Sequence, residues 1–127
     1  MAEYLARELT PGDDVTFTSA GTATHPRVEP SSGTVEVMAG IGVDVGDHRS
    51  QSVWDVGESA DLIYALSAEH RDAMVERWPQ RSEAIRMLQP DGESTDDPYG
   101  LELDEYRRVR DEIESAVRAR AEGDWGT

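Results

Sequence analysis

Residues Ala60-Asp61-Leu62-Ile63-Tyr64-Ala65-Leu66 decide the fold. Apart from Asp61 the run is apolar and of strand length, which suits a parallel strand buried on both faces. Ser67 follows as the N-cap of a helix reaching about Trp78, and Pro79 stops that helix. Ala84 to Leu88 then forms a second short strand. Upstream, Val15 to Ser19 alternates apolar and polar residues and predicts another strand. Helices are expected over Met1 to Leu9, ended by Pro11-Gly12-Asp13, and from Ser32 to about Gly42. Val53 to Val56 suits a short helical turn, and Gln89 to Gly100 a polar loop. The last helix begins near Glu102, with Leu103, Tyr106, Val109, Ile113, Ala116 and Val117 as its apolar stripe. Asp104–Arg108 and Glu114–Arg118 are expected ion pairs on its wet side, and the tail after Glu122 is expected to fray. Strands alternating with helices imply an α/β class: a mostly parallel sheet of three to four strands flanked by helices. The 127 residues are expected to form a single domain around one core.

Composition narrows the function classes. There are 27 acidic residues against 12 basic ones, all arginine, for a net charge of −15. Phosphate-backbone binding needs a basic face, so no nucleic-acid partner is expected, and anionic membrane surfaces are disfavoured. Such acidity keeps a protein soluble at high salt and is halophile-like. No run of 18 apolar residues exists, so no membrane span is expected. The acid-bearing amphipathic start lacks the regions of a signal peptide, so the expected compartment is the cytoplasm. Cysteine is absent, which excludes disulfides, thiolate metal sites and a thiol nucleophile in this polypeptide. His25, His48 and His70 are scattered, so no metal site is expected, and no cofactor is implied. Gly40-Ile41-Gly42-Val43-Asp44-Val45-Gly46 has the wrong spacing for a dinucleotide fingerprint and ends a helix instead of opening one.

The sharpest local signal is Asp97-Pro98-Tyr99. A proline fixes its own φ and pushes the preceding residue into extended backbone, so a carboxylate can be held at a loop tip. Such a carboxylate suits a general acid, and the nearby aromatic ring can line a pocket. An ordinary Asp-Pro turn uses the same residues. Ser19-Ala20-Gly21-Thr22 follows a predicted strand, at the end where α/β ligand sites form. His48 lies in a loop beside Asp44 and Asp47.

Ser19-Ala20-Gly21-Thr22, His48-Arg49-Ser50 and Asp97-Pro98-Tyr99-Gly100 together resemble the low-molecular-weight protein tyrosine phosphatase family. The similarity runs from Met1 to about Arg120, with Met1-Ala2-Glu3 matching the start of the family's first helix. Ser31-Ser32, where Asp-Pro is common, and Gln51, where arginine often follows, depart from the pattern. The resemblance implies phosphomonoester hydrolysis through a cysteinyl phosphate, with a phosphotyrosine protein or small aryl phosphate as substrate. It makes Asp97 the general acid and base, Tyr99 and His25 the substrate wall, and Ser19 and His48 the support of the phosphate loop. The family's Cys-x5-Arg loop has no counterpart here. Met1 then resembles an internal methionine of a longer chain whose first strand and loop are missing. Such a chain is expected to be catalytically dead and marginally stable, because removing an interior strand would leave ladder groups unpaired and apolar faces uncovered. Arsenate reductases of the same fold need further cysteines, which favours the phosphatase branch. The alternative is a non-catalytic interaction or regulatory module.

Overall fold

The computed structural model describes residues 1–10, 12, 14–23 and 27–125. Helix α1 is Ala2–Leu9, α2 is Ser32–Ala39 and α3 is Val53–Val56, the last continued by a 3-10 turn over Gly57–Ser59. Strand β1 is Ile63–Ala65, followed by α4 (Ala68–Arg77), a 3-10 segment (Pro79–Ala84), β2 (Ile85–Met87) and α5 (Leu103–Asp124). The two strands pair in parallel, Ile63 opposite Ile85 and Ala65 opposite Met87.

The β1–α4–β2 unit is the one read from the apolar run. Ser67 caps α4 through its side chain, which accepts the His70 N–H at 3.2 Å. Trp78 closes that helix and Pro79 follows. Two apolar clusters flank the strands. Val53, Ala65, Met74, Trp78 and Ile85 form one. The larger gathers Leu5, Met38, Val45, Leu88, Val109, Ile113 and Val117, so α1 and α2 pack on the predicted stripe of α5.

The sheet is smaller than expected. Two strands form among the described residues, not three or four. Val15–Ser19 is not a strand. The carbonyls of Phe17 and Ser19 accept side-chain donors instead, Arg7 Nη2 at 3.1 Å and Gln51 Nε2 at 2.9 Å. Backbone pairing resumes only at the isolated parallel bridge between Gly21 and Ser52. An alternating pattern fits a strand, but a strand also needs a neighbour, and this stretch has none.

Smaller departures have local causes. Helix α2 ends at Ala39, and Gly42, at φ 81°, carries the chain out of the helix. Arg108 does not pair with Asp104. It bridges Glu105, Glu112 and Asp96, while Arg107 takes Asp104 at 2.8 Å. Glu114–Arg118 forms as read, at 2.8 Å. Helix α5 continues past Glu122 to Asp124, which accepts the Tyr64 hydroxyl at 2.6 Å. Among the described residues no helix is long and apolar enough to cross a membrane.

Candidate functional site

The loop after β2 carries the acidic turn. It is fastened to the carboxyl end of β1, where the Thr95 N–H donates to the Leu66 carbonyl at 2.6 Å. Thr95 is buried, and Gln89 Nε2 donates to its hydroxyl at 3.2 Å. Asp96 is held by Arg108 at 3.1 Å. That guanidinium stays above its ordinary range because Glu105 and then Asp96 accept its hydrogens. Pro98 is buried, and its carbonyl accepts the Leu101 N–H at 2.9 Å. Thr95 and Pro98 are thus two anchors, and Asp97 is exposed between them. Its Oδ1 accepts the Tyr99 N–H at 3.0 Å, a local turn of the kind Asp favours. Tyr99 is 76% exposed. It lines an open cleft of about 500 Å³ with Ser31, Glu36, Leu101 and Tyr106.

A second group forms around α1. Ser19 Oγ donates to Glu3 Oε1 at 2.6 Å, and Arg7 meets Oε2 at 2.5 Å. His48 Nδ1 lies 3.8 Å from the same Oε1, with its ring edge-on to Tyr4. Ser19 and His48, far apart in sequence, therefore converge on one carboxylate. Glu3 itself is 9% exposed, a buried acid held by the Ser19 hydrogen bond and the Arg7 cation, as buried charges require. Sequence reasoning missed Glu3 as a site residue. The one-turn spacing from Arg7 signals a helical ion pair, but nothing local points to Ser19 or His48 as its partners. His25 lies outside the described residues. His70 is exposed on α4, between Glu69 and Arg71. No group of three or more His, Asp or Glu side chains suited to a metal ion occurs among the described residues.

The family model for low molecular weight phosphotyrosine protein phosphatases matches residues 1–122. The chain belongs to that family. A probable low molecular weight protein-tyrosine-phosphatase, EpsP, of Ralstonia nicotianae is 28% identical, over 94% of this chain and 82% of its own. Arsenate reductase 1 of Staphylococcus haemolyticus is 31% identical, over 93% and 81%. The solved YwlE arginine phosphatase of Geobacillus stearothermophilus is 28% identical with a TM-score of 0.85, over 95% and 80%. The fold thus hosts relatives named for three chemistries. It is a cysteine-based hydrolase fold, and this chain has no cysteine.

Proposed function

We propose that this polypeptide carries the acid-bearing part of a phosphotyrosine phosphatase site and by itself turns over no phosphomonoester. The observation that supports the reading most is the twice-anchored turn presenting Asp97 beside Tyr99. In a family site of this kind a thiolate attacks phosphorus and the P–O bond to the leaving group breaks. Backbone N–H groups and an arginine hold the phosphoryl oxygens. Asp97 is suited to the remaining proton work. It would give its proton to the leaving phenolate, then take one from the water that cleaves the phosphocysteine. In such a site Tyr99 would wall the substrate side, and Ser19 and His48 would brace a phosphate loop through Glu3. A carboxylate alone supplies neither nucleophile nor phosphate cradle. Substrates of the intact site would be phosphotyrosine proteins or small aryl phosphates.

The closed Glu3 network favours a second reading. Ser19 already donates to Glu3 within this chain and His48 faces the same carboxylate, so the Ser19 hydroxyl does not need a phosphate loop to satisfy it. Such a scaffold suits a non-catalytic interaction module. Two measurements decide. Purified protein is assayed on para-nitrophenyl phosphate and a phosphotyrosine peptide beside Asp97→Asn. No turnover above that variant is expected, and Asp97-dependent turnover would overturn the proposal. The codons upstream of Met1 then separate the readings. An in-frame Cys-x5-Arg-Ser-Pro supports the enzyme, and a stop codon the module.

A further inference from the structure

We propose that the Asp124–Trp125 turn is a latch that ties the free side of the two-stranded sheet to the unpaired Val15–Ala20 stretch. Strand β1 has β2 as its one strand neighbour among the described residues. No backbone hydrogen bond joins residues 15–20 to β1 in the described structure. Side chains from the end of α5 span that gap instead. The Trp125 ring lies 4.8 Å from Phe17 and 6.1 Å from Tyr64, centroid to centroid. Both distances are those of packed aromatic pairs. Tyr64 sits on β1, so one indole touches both segments.

The turn that presents Trp125 is fastened on three sides. Asp124 Oδ2 accepts the Tyr64 hydroxyl at 2.6 Å, faces Arg86 of β2 at 3.7 Å and takes Arg120 Nη1 at 3.3 Å. Arg120 also donates to the carbonyls of Met87 and Leu88, at 2.5 and 3.1 Å, and its guanidinium lies 5.2 Å from the Tyr64 ring centre. An acid in the last turn of a helix faces the negative end of the helix dipole, which disfavours it. Asp124 stands there nonetheless, with no basic residue in that turn. Tyr64, Arg120 and Arg86 offset the cost, and the Tyr64 hydrogen bond and these cations hold the Asp124 carboxyl below its usual range. A local rule broken and then compensated by two tertiary partners, Tyr64 and Arg86, and by Arg120 one turn back marks a position kept for its contacts.

An unpaired strand edge opens readily and can template pairing with another chain. The latch restrains that edge with an aromatic ring and a carboxylate in place of a ladder. Hydrogen–deuterium exchange on the full chain tests it, with Trp125→Ala and Tyr64→Phe. The second variant removes only the hydroxyl and keeps the ring, so its fold is not in question. Residues 63–66 are expected to exchange about tenfold faster in Trp125→Ala and several-fold faster in Tyr64→Phe, with residues 71–77 of α4 unchanged. Exchange at 63–66 within about twofold of the parent in both variants would overturn the latch, and so would equal acceleration across 63–66 and 71–77.

Discussion

At the scale of single residues, Glu3 carries the most. Its carboxylate is buried and takes a hydroxyl and a guanidinium, with an imidazole close by. Glu3→Ala would leave the Ser19 hydroxyl without its acceptor and His48 without its facing charge. Losing the acceptor of the part-buried Ser19 hydroxyl costs about 1–3 kcal/mol, whereas His48 is 3.8 Å away and 27% exposed and adds little. The Arg7 side chain is 49% exposed and water can replace its partner, so that pair is worth little on its own. Urea unfolding is therefore expected to rank the variants. Glu3→Ala should lose about 2–3 kcal/mol, Ser19→Ala about 1, and Arg7→Ala less than about 1. An Arg7→Ala loss equal to that of Glu3→Ala would show the ion pair, not the Ser19 hydrogen bond, to be the stabilising contact. The measurement reads folding alone, so it is silent on chemistry and can be made on the chain as it stands.

At the scale of elements, the contact between α2 and α5 is set by one missing side chain. A Cβ built on Gly33 would meet three atoms of the Tyr106 ring at 2.6, 2.7 and 2.9 Å. That ring is 5% exposed and fixed inside the α5 packing, so it cannot swing away. Alanine would add at most about 1 kcal/mol of helix propensity, whereas overpacking costs about 1–3. Gly33→Ala is therefore expected to lower the thermal midpoint. Gly123→Ala, where a Cβ meets nothing within 4 Å, should hold or raise it. A Gly33→Ala variant as stable as the parent would mean that α2 shifts freely on α5. Elements of this kind were legible where a local signal agreed with the packing. Ser67 and Pro79 bracket α4 in sequence and in space, and the apolar stripe from Tyr106 to Val117 is the buried face of α5. Val15–Ser19 was misread because alternation describes a surface and not a partner, and a sheet is a relation between segments. The acid turn was legible because Pro98 acts on its own neighbour. Glu3 was not, because its partners at 19 and 48 meet it only through the tertiary fold. The ordered end of α5 was hidden for the same reason, since Asp124 finds its partners on β1 and β2.

At the scale of the whole molecule, the 27 acids and 12 arginines set how stability responds to salt. Two opposing terms are screened together. Contact pairs along α5 stabilise, among them Arg108–Glu112 at 2.7 Å and Arg118–Glu114 at 2.8 Å. Repulsion among the excess acids, most of them separated by more than such contact distances, destabilises the compact state. Screening does not act on the two equally. Raising the ionic strength from about 0.1 M to about 1 M shortens the Debye length from about 10 Å to about 3 Å. Charges about 10 Å apart lose most of their repulsion over that range, whereas charges in contact lose a smaller share of their attraction. Exposed pairs are in any case worth about 0–1 kcal/mol each. Repulsion is relieved more than attraction is lost, so the urea midpoint is expected to rise steadily from about 0.1 M to about 1 M potassium chloride. Urea is the denaturant of choice because it adds no ions of its own. A sulfate series would confound screening with the general strengthening of burial by excluded salts, so chloride isolates the electrostatic term. A midpoint that falls with added chloride would show the arginine pairs of α5 to outweigh the self-repulsion of the acidic surface, and a flat response would show that the two cancel.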